Sequence, residues 1–131
     1  MKMDIKPAFY IISAARKGAK NNVARHATLK PAVAKLGAVK HVTGQYKGDP
    51  EQAWLLIENP LDGQNHKQAI RHLLTLYSQE CALFVDCNRG AWYVYPDKPD
   101  EFQGTWVSVR HVNNLASYTS DPTSGYHYTI K

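Results

Sequence analysis

Two side chains near the middle of the chain carry the clearest chemical signal. Glu51 follows the turn Gly48-Asp49-Pro50, and Tyr46 stands just before that turn. A carboxylate and a phenol at adjacent strand ends can together line a polar cleft. The ordinary reading of the same residues is a solvated glutamate at a strand entry and a sheet aromatic, since exposed glutamate is the norm. Glu58, which ends the run Leu55-Leu56-Ile57, is the rival carboxylate, although a solvated strand terminus is its ordinary place.

Other chemistries find less support. The six histidines (26, 41, 66, 72, 111 and 127) show no HxxxH or HxH spacing, so no metal site is expected. No GxGxxG or GxxxxGK[ST] phosphate loop is present, and no GxSxG elbow marks a serine nucleophile. Nothing local would activate Ser13. Cys81 and Cys87 match neither a CxxC motif nor a zinc knuckle. Flanking Ala82 to Val85, they read as reduced, partly buried thiols on one face of a strand.

The elements that must hold these side chains follow from periodicity. Residues 8–15 are apolar, aromatic and branched, as in a buried strand. A polar loop over 16–22 precedes a helix over 23–36 that stops at Gly37. Pro31 fits its first turn if Thr28 is the N-cap; a longer helix would bend there. Residues 38–47 and 53–58 read as a hairpin across Gly48-Asp49-Pro50. After a break at Asn59-Pro60-Leu61-Asp62-Gly63, Ile70, Leu73, Leu74 and Tyr77 define an amphipathic helix over 64–78. Residues 82–87 and 91–95 form a second hairpin across Asn88-Arg89-Gly90, and 104–112 carry a further strand pattern.

The order predicts an α+β, ferredoxin-like βαββαβ fold: an antiparallel sheet with two helices on one face, plus a C-terminal strand extension. Its exposed face carries Trp54, Trp92, Tyr93 and Trp106, so a second subunit is expected to cover part of it. With 131 residues, one domain is expected, its core over 8–95 and its extension over 96–131. An apolar content of 44% against 21% charged excludes intrinsic disorder. No apolar run is long enough to span a bilayer, and the first residues lack a signal peptide's apolar core, so a cytoplasmic protein is expected.

The net charge of +5 is unevenly placed. Residues 1–48 balance to +9, and residues 49–131 to −4. A basic half raises the prospect of an anionic partner such as nucleic acid.

Several segments, taken in order, resemble the phage S-adenosylmethionine lyases, long called hydrolases. Phe9 to Arg16 is similar to that family's first strand and its Ser-Ala turn with a following Arg. Ala24-Arg25-His26 resembles the opening of its first helix, and Thr43-Gly44-Gln45-Tyr46 its Thr-Gly-x-Tyr strand. Gln79 to Val85 resembles the Gln-Asp-Cys run after the second helix, and Gly90 to Tyr95 the final core strand. Beyond Tyr95 the resemblance stops.

The resemblance implies cleavage of S-adenosylmethionine to methylthioadenosine and homoserine lactone, with no cofactor. It also implies a homotrimer with active sites between subunits, and a phage protein that depletes the host's methyl donor against restriction. Residue by residue, Tyr46 matches the site tyrosine and Glu51 the essential glutamate, with a shorter loop between them than the pattern has. Ser13, Ala14 and Arg16 match the turn near the nucleoside, and Gln79 the glutamine before the Cys strand. A hydrolase giving homoserine, with Glu51 as general base, is the alternative mechanism. A ferredoxin-like nucleic-acid-binding module is the alternative of another class, although no RNP1-like run stands on the strand Trp54 to Ile57; a host-interaction protein without catalysis is a third. Because the implied substrate is a cation, the site is expected to be locally acidic, with Lys17, Lys20, Lys30 and Lys35 on an outer face.

Overall fold

The computed structural model describes residues 7–16, 18–58 and 66–131. Lys17 and the break expected at Asn59 to Gly63 lie outside them. Along the chain the elements are β1 (Ala8–Ile12), α1 (Asn22–Ala34), β2 (Val39–Tyr46), β3 (Asp49–Glu58), α2 (Lys67–Leu76), β4 (Ala82–Val85), β5 (Gly90–Val94), β6 (Glu101–Val109), β7 (Tyr118–Ser120) and β8 (His127–Ile130).

The βαββαβ order is present over residues 8–85, but the sheet is not the open ferredoxin-like sheet expected. It closes into an eight-stranded antiparallel barrel in the order β1-β3-β2-β7-β8-β6-β5-β4, with β4 returning to pair β1. The C-terminal extension supplies β6 and the β7–β8 hairpin. That hairpin pairs β2 on one side and β6 on the other. Closure satisfies backbone groups that an open edge would leave unpaired.

Closure also takes two of the four aromatics expected to meet a covering subunit into the barrel. Tyr93 and Trp106 line the barrel's interior. Trp54 faces outward under α1, its ring stacked on His26 at 4.2 Å and its indole N–H donating to the His26 carbonyl at 2.8 Å. Trp92 donates to Asp86 at 3.1 Å and packs edge-on against Phe102. Trp54 is buried, and the other three rings are partly covered by their own chain.

The two helices rest on the outer side of β1, β3 and β4. Ile70, Leu73 and Leu74 of α2 bury the predicted stripe against Tyr10, Ile12, Leu56 and Ala82. α1 contributes Leu29 and Val33 to the same cluster. Pro31 lies inside α1, so the longer of the two expected helices forms. Its missing N–H falls in the last turn, where little helix remains to be lost. Cys81 and Cys87 are both free, but β4 ends at Val85, which leaves Cys87 exposed in the turn rather than on a strand face.

The barrel closes at Gly44, which pairs Glu51 on one side and Thr119 on the other. A Cβ at this position would stand 2.1 Å from the Tyr118 carbonyl oxygen and 3.0 Å from the Thr119 Cα. Both are backbone atoms and cannot turn aside. Gly44→Ala is therefore expected to force β7 away from β2 and to destabilise the protein by about 3 kcal/mol, the upper part of the range for overpacking. Urea unfolding checks this; an unchanged midpoint would mean the seam is looser than its geometry.

Candidate active site

Strand alternation decides which side chains enter the barrel. On β3, Glu51 and Ala53 point inward, whereas Trp54, Leu56 and Glu58 point to the helices. On β2, Val42, Gly44 and Tyr46 share the inward face through their pairing with Ala53, Glu51 and Asp49. Ile11 and Ser13 enter from β1 and its end, Cys81 and Leu83 from β4, and Tyr93 from β5.

Together these surround a cavity of about 450 Å³ at one end of the barrel, completed by Leu115 to Thr119 and by Gln79-Glu80. Val42, Trp106 and Thr119 line both this cavity and a second one at the barrel's other end. Two carboxylates, Glu51 and Glu80, line the first cavity, and no Lys, Arg or His does so among the described residues.

The expected site residues divide clearly. Glu51, Tyr46, Ser13 and Gln79 all line this cavity. Ala14 does not: it is fully buried in the core beneath the helices. Arg16 is exposed outside the cavity, where its backbone N–H and carbonyl are both bonded to the Asn22 side chain at 2.9 Å. The rival Glu58 faces the other way and accepts from the His66 imidazole at 2.7 Å and its backbone N–H at 3.3 Å.

Burial pushes the Glu51 carboxyl above the usual carboxylate range, and Asp49 adds to the shift. The Ser13 hydroxyl offsets part of it. That hydroxyl donates to the Gln52 carbonyl at 3.0 Å and accepts from Ala15 N–H at 3.0 Å, and its proton can rotate toward Glu51. Burial likewise raises the Tyr46 phenol, with the neighbouring Cys81 contributing. The Cys81 thiol is pushed up to about 11, again chiefly by burial. Both groups are therefore protonated at neutral pH and offer hydrogens rather than charge.

Tyr46 forms a corner. Its hydroxyl stands 3.5 Å from Glu80 Oε2 and 3.8 Å from Cys81 Sγ. Its ring meets that of Tyr93 edge-on, 6.1 Å between centroids. Glu80, Cys81, Tyr93 and Trp106 were not singled out as site residues by sequence reasoning, because only barrel closure brings their strands to one cavity.

Arg25 also escaped it. From α1 its Nε donates to the Ala14 carbonyl at 2.7 Å, and its guanidinium donates to the Tyr77 carbonyl as well. Gln79 donates to the Ala15 and Tyr77 carbonyls at 2.9 and 3.1 Å. One cation and one amide thus fasten the end of β1 to the end of α2 beside Ser13 and Glu80. Basic residues at helix ends give a sequence no hint of such a cross-link.

A model of the S-Adenosylmethionine lyase family matches residues 10–131. The chain belongs to that family. No curated protein was found to match it. For an S-adenosylmethionine lyase the extent of the match is informative: it runs past Tyr95 and includes β6, β7 and β8, which complete the barrel and wall the cavity. Family membership makes S-adenosylmethionine the small-molecule substrate. Among the described residues, no helix is long and apolar enough to cross a membrane.

The raised Glu51 pKa has a stability consequence. A group that binds its proton more tightly when folded stabilises the fold below its unfolded pKa, and that contribution is lost as pH rises through the folded value. The ionised carboxylate therefore works against folding at neutral pH. Glu51→Gln is expected to raise the melting temperature near pH 7, by an amount that shrinks toward about pH 4, as thermal unfolding across that range would reveal. Arg25→Ala is expected to cost about 2 kcal/mol, the range for hydrogen bonds from a charged donor. Arg25→Lys should recover only part of that, since an ammonium lacks the guanidinium's fork.

Proposed function

We propose that this cavity binds S-adenosylmethionine and cleaves it by a lyase reaction. The observation that carries the reading is the charge of the lining: two carboxylates and no cationic side chain among the described residues, in a protein whose net charge is +5. A chain with an excess of basic residues has kept them out of one cavity, as a cationic substrate requires.

In the reaction the substrate's own carboxylate attacks its γ-carbon. A C–O bond forms, the C–S bond breaks, and the sulfonium sulfur takes the electron pair and leaves as neutral methylthioadenosine. The other product is homoserine lactone. No proton is transferred and no water is consumed. The sulfonium is already an activated leaving group, so a general acid has nothing to add. Holding the folded conformer is the main task, and well-oriented intramolecular attack is worth effective molarities of about 10⁵–10⁸ M.

In this reading Glu51 holds the substrate's ammonium or ribose hydroxyls, and Tyr46 hydrogen-bonds Glu51's end of the substrate. The Tyr46–Tyr93 corner offers ring faces to the sulfonium, an interaction favourable to a cation within about 6 Å of a ring centroid. Ser13 holds the Glu51 charge, and Gln79 keeps the β1 end in place. Arg16 and Ala14, outside the cavity, act on the turn's shape and not on the substrate. In an infected cell such turnover would remove the methyl donor that restriction-modification enzymes need. A homotrimer with sites between subunits is the assembly the resemblance implies, and sedimentation of the purified protein measures it.

One observation favours the hydrolase alternative: a carboxyl with a raised pKa is what a general base requires. Turnover in H₂¹⁸O separates the two. The lyase reading expects methylthioadenosine together with unlabelled lactone, whereas enzyme-dependent ¹⁸O in homoserine, corrected for spontaneous lactone opening, would establish hydrolysis. Glu51→Gln is expected to lower kcat/KM by at least about 100-fold, the scale for losing one preorganised electrostatic contact. The nucleic-acid alternative needs an open sheet face on which bases stack. Tyr93 and Trp106 are turned into the barrel instead.

A further inference from the structure

The mouth of the cavity holds one cation that is not part of its lining. Lys47 Nζ lies 3.4 Å from Glu80 Oε1 and 5.1 Å from the centre of the Tyr46 ring. A carboxylate on one side and an aromatic face on the other are the contacts a sulfonium or ammonium would seek in this corner. The second carboxylate oxygen of Glu80 is the one that faces the Tyr46 hydroxyl.

The backbone under Lys47 supplies a separate observation. Lys47 and Gly48 are the two-residue loop of the β2–β3 hairpin, with φ of +50° and +88°. Positive φ at both positions is the type I′ turn, whose first position favours Asn, Asp or Gly. A lysine there is strained by about 1 kcal/mol relative to those residues. The turn is held through its own backbone N–H groups: Lys47 N–H donates to Ser117 Oγ at 3.0 Å and Gly48 N–H to the Ala116 carbonyl at 2.9 Å. The ammonium can swing away while the turn stays still, and both Lys47 and Glu80 side chains are more than half exposed.

We propose that the Lys47 ammonium is an internal competitor for the cation corner formed by Tyr46 and Glu80, displaced when a sulfonium or ammonium ligand enters. In the empty cavity it neutralises Glu80, so that a small cation gains little by binding there. A ligand able to fill the rest of the cavity recovers more than it loses in displacing the lysine. The lysine thereby raises the apparent dissociation constant for every cation by the same factor, so that at a given concentration only a ligand with further contacts in the cavity occupies it. The proposal rests on the reading that this cavity takes S-adenosylmethionine, and its test is arranged to stand apart from that reading.

The probe is trimethylsulfonium, which carries the cation and nothing else, titrated by NMR against wild type, Lys47→Asn, Glu80→Gln and the double variant. Asparagine suits the turn, so Lys47→Asn is expected to fold and to melt no lower than wild type. It should bind trimethylsulfonium about threefold to tenfold more tightly, the scale of one exposed ion pair with one cation–π contact. KM for S-adenosylmethionine should fall by a similar factor, and in the Glu80→Gln background Lys47→Asn should bring no gain. Unchanged or weaker trimethylsulfonium binding by Lys47→Asn overturns the proposal, as does an equal gain with Glu80 replaced. A wild type that releases no methylthioadenosine from S-adenosylmethionine, while Lys47→Asn still tightens trimethylsulfonium, would end the substrate reading and uphold the competitor.

Discussion

With no side chain at Gly44, the β7 backbone approaches β2 so closely that the Tyr118 carbonyl oxygen stands 2.1 Å from where a Cβ would be. That approach closes the barrel. It brings Leu115 to Thr119 across the end of β2 and over the inward faces of Glu51 and Tyr46. Without it, the same two side chains would stand on an open sheet in water, where a glutamate keeps its ordinary acidity and a cation is held weakly. The glycine of Thr43-Gly44-Gln45-Tyr46 is thus a steric requirement of the wall that faces the site.

The distribution of charge follows from the same enclosure. Lys20, Lys30 and Lys35 are exposed, and the described lysines and arginines stay out of the cavity. Lys30 lies over the outer face of Trp54, where its stem covers a ring and its head stays in water. Inside, Glu51 is kept against a desolvation cost that raises its pKa and works against folding. A protein that retains such a group in a cavity with no cationic side chain among its described lining residues places function above stability at that position. Taken as a whole, the +5 describes the outer surface and not the chamber within it.

Much of the element order could be read from local patterns, because a helix stripe or a strand run is decided by near neighbours. The α2 stripe of Ile70, Leu73 and Leu74 is buried as its spacing predicts. The choice between Glu51 and Glu58 shows where such reading stops. The two are an odd number of residues apart on one strand, so alternation alone puts them on opposite faces. Which face is the chamber and which lies under the helices depends on where β7 and β8 go, and nothing near either glutamate records that. The same gap explains Ala14 and Arg16: the turn was recognisable, but its direction beyond Ser13, into the core and then outward, was set by Arg25 and Asn22.

The sequence by itself determined the βαββαβ succession, the pairing of two strands around the Gly48 turn, and a carboxylate and a phenol at the end of that hairpin. These depend on contacts a few residues long. The tertiary structure alone decided that the sheet closes rather than lies open, that Tyr93 and Trp106 face inward, and that Glu80 and Cys81 join Tyr46. Closure joins strands more than seventy residues apart, such as Thr43 and Ser120. Pairing over that distance depends on the summed packing of the whole barrel, which no local window contains.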